Sequence, residues 1–84
     1  MKKIIITGAS SGIGEAIATE YAKKGYALGL VARRLDRLEA LKEKLSKLGA
    51  TVSIRTLDVA NDQQILPTFE SISDELGGID IVIA

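Results

Sequence analysis

The chain has 84 residues, 46% hydrophobic and 26% charged, and its eleven basic and eleven acidic side chains cancel to a net charge of zero. That balance lacks the basic excess needed to bind a phosphate backbone, so nucleic acid is not an expected partner. With no Cys and no His, these residues offer no disulfide, no Cys/His metal site and no thiol or imidazole nucleophile.

Met1-Lys2-Lys3 followed by Ile4-Ile5-Ile6 imitates the charged opening of a secretion signal, but the apolar run ends at Thr7-Gly8, too soon for a signal core. It reads instead as the first strand of a cytoplasmic protein. No apolar stretch approaches the ~20 residues of a membrane helix, so no membrane partner is expected. Thr7-Gly8-Ala9-Ser10-Ser11-Gly12-Ile13-Gly14 comes next, directly before an amphipathic segment, which makes the order strand, glycine turn, helix. Its three glycines predict a tight turn, a backbone with no Cβ to block an approaching anion, and a close helix-to-strand contact at Gly14. The free N–H groups of the first helical turn and the positive end of the helix dipole suit a dinucleotide pyrophosphate. Taken alone, such a turn also fits a plain connection that binds nothing. The spacing is not that of a P-loop, because no Gly-Lys-Ser/Thr follows.

Ile13, Ile17 and Tyr21 recur every four residues and mark a first helix that should stop near Gly25, with Tyr21 assigned to packing. Tyr26 to Ala32 reads as a buried strand. Leu35, Leu38, Leu41, Leu45 and Leu48 form the stripe of a second helix, with Asp36 and Glu39 as its N-terminal cap and Gly49 as its stop. Its Arg, Lys and Glu residues read as a solvated face with pairs such as Glu43 and Lys47. Thr51 to Leu57 is a third strand, and Ile65, Phe69, Ile72 and Leu76 mark a third helix capped by Asn61. Pro67 blurs the start of that helix, because proline belongs in a first turn. Ile79 to Ala84 begins a fourth strand.

Strands alternating with helices predict an α/β fold, a Rossmann-type doubly wound parallel sheet in the order 3-2-1-4. The first two helices belong on one face and the third on the other. A ligand should sit beyond the carboxyl ends of the strands, at the switch point between strands 1 and 4. We expect residues 1–84 to be the N-terminal dinucleotide-binding part of a single domain, cut in its fourth strand. Arg33 and Arg34 stand where an NAD site carries an Asp or Glu, about 20 residues past the glycine turn. A guanidinium there suits a 2′-phosphate, so NADP(H) is preferred over NAD(H). The competing role for both arginines is to coat the start of the second helix. Asp36 stands two residues too late for a ribose contact and suits a cap better.

With Thr-Gly-x-x-x-Gly-x-Gly at residues 7–14, the chain resembles the main subgroup of the short-chain dehydrogenase/reductase family, and the resemblance covers essentially all 84 residues. It implies cofactor contacts from Gly8, Ser10, Ser11, Gly12, Ile13, Gly14, Arg33 and Arg34. It also implies that Asp58 meets the adenine amino group, with the backbone of Val59 helping, although a strand-end Asp equally bonds its own turn. Asp80 matches the family's aspartate ahead of the fourth strand, with a structural role. The family's catalytic Tyr with a Lys four residues later is not here: Tyr21 is followed at that spacing by Gly25, and Tyr26 by Leu30. The implied whole protein is an NADP-dependent, homo-oligomeric oxidoreductase of small alcohols or carbonyls, with its catalytic residues outside this chain. A non-catalytic dinucleotide-binding module or redox sensor is the alternative.

Overall fold

The computed structural model describes residues 1–58, 60 and 62–84, with Asp62 as backbone only. The roles expected of Val59 and Asn61 therefore lie outside the described residues. The elements are β1 (Lys3–Thr7), α1 (Gly12–Lys23), β2 (Ala27–Ala32), α2 (Leu35–Ser46), β3 (Val52–Thr56), α3 (Asp62–Leu76) and β4 (Ile81–Ile83). All strand pairs are parallel, in the order β3-β2-β1-β4, as the alternation of elements predicts. Register is set around β1, where Ile5 faces Gly29 of β2 on one side and Val82 of β4 on the other.

Strand side chains alternate between the two sheet faces. Ile4 and Ile6 of β1 and Leu28 and Leu30 of β2 therefore meet Leu38, Leu41 and Leu45 of α2 and Ala18 and Ala22 of α1. Ile5 and Val31 point the other way, to Ile72 of α3. Every residue of β2 is buried, as expected of a central parallel strand covered on both faces. Each fully buried Ile or Leu contributes about 1.5–3 kcal/mol of transfer free energy, so this two-sided layer dominates the stability of the sheet.

Several sequence expectations change in the structure. The face α1 presents to the core is Gly14, Ala18 and Ala22, whose small side chains let the helix lie close to the sheet. Ile13, at the head of the predicted stripe, is 78% exposed, and Ile17 and Tyr21 only flank the contact. The outer members of the leucine stripe are also exposed: Leu35 is the first residue of α2, and Leu48 lies past its end at Ser46. The α1 stripe is thus one position off the face that meets the sheet, and the α2 stripe runs beyond both ends of its contact at Leu38, Leu41 and Leu45. Gly49 does end α2: at φ +87° it lets the Ala50 amide turn back onto the Leu45 carbonyl at 3.3 Å. Asp36 and Glu39 do not cap it; the N-cap is Arg34, with no side-chain cap bond.

α3 runs from Asp62 with Pro67 inside it, not in its first turn. Pro67 is exposed, so water can serve the Gln63 carbonyl that the ring leaves without a donor, while Ile65, Phe69, Ile72 and Leu76 hold the opposite face to the sheet. A polar clamp adds to this contact. Ser53 of β3, fully buried, donates to Glu75 at 2.8 Å, and Arg55 donates to Glu75 at 2.7 Å, to Ser53 at 3.0 Å and to Ser71 at 3.0 and 3.1 Å. The Arg55 guanidinium and the Ser53 hydroxyl hold the Glu75 carboxyl below its ordinary range. Asp80 has the structural role expected: its carboxylate accepts from the Lys3 amide at 2.9 Å, and its own amide donates to the Lys3 carbonyl at 2.8 Å, fixing the entry to β4 against β1. Among the described residues no helix is long and apolar enough to cross a membrane.

Candidate dinucleotide site

The glycine turn is held by its own backbone and one hydroxyl. At φ +68°, Gly8 reverses the chain at the end of β1, and its carbonyl accepts the Ser11 amide at 3.1 Å. The Ser11 hydroxyl donates to the same carbonyl at 2.9 Å and accepts the Gly14 amide at 3.1 Å, the N-cap bond of α1. The Ser11 hydroxyl is thus engaged in the turn. Ala9, fully buried, donates its amide to the Val31 carbonyl at 3.2 Å, which ties the turn to β2.

Among the described residues the Gly12 and Ile13 amides, first in α1, have no protein acceptor. They are exposed at the positive end of a twelve-residue helix. Among the described residues nothing stands within 4 Å of where a Cβ would project from Gly8 or Gly12, so the backbone is open to approach. Gly14 is the opposite case. A Cβ there would run into the Gly8 carbonyl oxygen and come within 2.9 Å of the Ala9 Cα. The close contact expected at Gly14 is therefore present, made to the turn itself.

Two of the recesses that border the turn open on different sides of it. The larger, about 710 Å³, lies toward β2 and β3 and is lined by Gly8, Ser10, Ser11, Ala32, Arg33, Arg34, Arg37, Leu57, Asp58 and Ala60. The other, about 310 Å³, lies toward β4 and includes Thr7, Gly8, Ser11, Ile13, Gly14 and Ile83. The Thr7 hydroxyl, donating to the Ile83 carbonyl at 3.4 Å, joins the ends of β1 and β4 beneath it. The turn thus sits over the switch point of the sheet, where ligands of such folds bind.

The structure gathers Gly8, Ser10, Ser11, Arg33, Arg34 and Asp58 around one groove, and puts Ile13 in the other recess. Arg34 forks onto Asp36, with Nε 3.2 Å from Oδ1 and Nη2 2.9 Å from Oδ2. The mutual hydrogen bond raises the Arg34 pKa and lowers that of Asp36. Asp58 bonds its own turn, accepting the Ala60 amide at 3.0 Å, and also borders the groove. Arg37 is a groove residue that sequence reasoning missed by assigning the charges of α2 to solvent. Its spacing of three from Arg34 is the signal that could have found it. Arg37 and Ser10 also border a neighbouring recess with Glu15 and Lys44, themselves paired at 3.2 Å.

The model of a family described as short chain dehydrogenase matches residues 2–84. An uncharacterized oxidoreductase of Mycobacterium tuberculosis is 45% identical over 84 residues, covering 98% of this chain and 33% of that protein. Among solved structures, an alcohol dehydrogenase from Thermococcus sibiricus complexed with 5-hydroxy-NADP superposes with a TM-score of 0.92 at 42% identity, over 98% of this chain and 35% of that one. An NAD+-bound xylitol dehydrogenase also reaches 0.92, at 27% identity, over 96% of this chain and 31% of that one. The chain spans about a third or less of the length of the curated relatives it matches.

Proposed function

The chain belongs to the short chain dehydrogenase family, and we propose that within it these residues form the NADP(H)-binding part of an oxidoreductase acting on an alcohol or carbonyl. The observation that carries the cofactor choice is the set of three arginines, Arg33, Arg34 and Arg37, bordering one groove with the glycine turn. Fold alone does not choose, since an NADP-type and an NAD+ complex superpose on this chain equally well. Residue chemistry supports NADP(H). Guanidinium groups give charge-assisted bonds to a 2′-phosphate, and no carboxylate stands at residue 33 or 34 to receive a ribose hydroxyl.

The residues present fit a dinucleotide. Gly8 and Gly12 leave room for the pyrophosphate, the Gly12 and Ile13 amides are donors without partners among the described residues, and the arginines stand at the adenosine side. In this reading Ser10 adds a hydroxyl beside the arginines, and Asp58 and Val59 bound the adenine. When bound, the nicotinamide supplies hydride chemistry. These 84 residues bind and orient the cofactor, while proton transfer falls to residues outside them, because no Tyr is followed by Lys at plus four. We place the whole enzyme in the cytoplasm as a homo-oligomer.

Titration of the full-length protein with NADPH and NADH tests this. Tighter binding of NADPH, with the ratio reduced about tenfold or more in Arg33→Ala/Arg34→Ala, is the expected result. Equal affinity for the two cofactors in the unmodified protein overturns the cofactor choice. Dinucleotide binding without turnover of any alcohol, ketone or aldehyde in a broad panel would favour a non-catalytic module.

A further inference from the structure

Arg34 and Asp36 are two residues apart, a spacing at which side chains on a regular helix do not meet. They meet here because Arg34 is the N-cap of α2, with extended backbone (φ −102°, ψ 104°), while Asp36 is already in the first turn. The contact uses one edge of the guanidinium, Nε and Nη2. Among the described residues Nη1 has no partner, so the end-on edge of the fork stays available. Asp36 itself borders neither the 710 Å³ groove nor the recess beside it, whereas Arg34 borders the groove. The carboxylate therefore grips Arg34 from outside the cavity.

We propose that Asp36 is a positioning residue for cofactor selection: it holds the Arg34 fork so that its free edge faces a 2′-phosphate in the groove. This rests on the NADP(H) reading above. An arginine with a side chain 60% exposed ranges over many rotamers, and ordering it on binding costs affinity. Asp36 restricts that freedom beforehand. The first turn of α2 also favours a negative charge at Asp36, independently of Arg34. The pair stays ionised at neutral pH, since each partner's pKa moves away from neutrality. An anion near the groove would ordinarily repel a phosphate. Asp36 does not line the groove and Arg34 does, so the hold on Arg34 outweighs the repulsion.

The probes are 2′,5′-ADP and 5′-AMP, titrated into the full-length protein at low salt. Asp36→Ala is expected to weaken 2′,5′-ADP about twofold to fivefold and to leave 5′-AMP unchanged. In an Arg34→Ala background the same change should have no further effect, and Asp36→Glu should recover part of the loss. Three results overturn the proposal. Tighter or unchanged binding of 2′,5′-ADP in Asp36→Ala, while Arg34→Ala weakens it, would leave the NADP(H) reading intact and remove the role of Asp36. Equal weakening of both probes would make Asp36 merely structural. Indifference of 2′,5′-ADP to Arg33→Ala/Arg34→Ala would remove the underlying reading and this proposal together.

Discussion

Gly14 lies against Gly8 with no space for a side chain: its Cβ would overlap the Gly8 carbonyl oxygen, the same oxygen that accepts the Ser11 amide and hydroxyl. One atom thus shapes the turn and bears the helix. Any residue larger than glycine at 14 must push backbone against backbone, which cannot yield as a flexible side chain would. We expect Gly14→Ala to weaken NADPH and NADH alike, and Gly14→Val to do so further, before global unfolding. Titration with both cofactors, alongside a urea melt, checks this. Normal affinity in Gly14→Val would mean that the turn is not the pyrophosphate site.

Gly29 makes room in the same way on the far side of the sheet. A Cβ there would stand 2.5 Å from Cγ2 of Ile72 and 3.3 Å from Cγ1 of Ile5. Ile72 is fully buried and branched at Cβ, so it cannot swing aside. Gly29→Ala should destabilise the fold by about 1–3 kcal/mol, the usual cost of overpacking. The NADPH to NADH ratio should not move. In Gly29→Ala/Ile72→Ala the two costs should sum to less than their separate values, because the second change vacates the space the first needs. Simple additivity in denaturant melts would show that the two residues do not share this site.

Glu75 makes the contact of α3 with β3 dependent on pH. Its folded pKa lies below the unfolded value, held there by Arg55 and Ser53. Such a group stabilises the fold above the unfolded pKa, and the contribution is lost as pH falls through the folded one. Glu75 is half exposed, with its side chain at 46%, so solvent discounts the Arg55 pair. Loss of an acceptor for the buried Ser53 hydroxyl adds to the effect, and Glu75→Ala should cost about 1–2 kcal/mol at pH 7. The gap between the unmodified protein and Glu75→Ala should be constant from pH 7 to about pH 5. It should then close as pH falls through the ordinary carboxylate range near 4.3 and below. A gap that widened toward acid would contradict the pairing.

Much of this protein was legible in its sequence because the signals are local and repeated. The run Ile4-Ile5-Ile6, the turn from Gly8 to Gly14 and the leucines of α2 each specify an element through short-range stereochemistry and periodicity. The alternation of those elements leaves few topologies, and the sheet order β3-β2-β1-β4 is the one expected. Spacing from the glycine turn likewise drew attention to Arg33 and Arg34, and the fold sets both beside one groove with that turn.

Tertiary structure decided what depends on distance across elements. Spacing counted Ile13 and Leu48 as core, but the face α1 turns to the sheet is one position away from Ile13, and Leu48 lies past the end of α2, which leaves both in solvent. Asp36 looked like a cap, and only the extended backbone at Arg34 turned it into that residue's ion-pair partner. Pro67 looked like a boundary, yet the apolar face of α3 carries the helix through it. Gly29 gave no sign of its reason, because that reason is Ile72, 43 residues away and on the far side of a strand. Arg37 joined the groove for the same cause: a charge on a helix is solvated or functional according to what the fold sets beside it, and no periodicity encodes that neighbour.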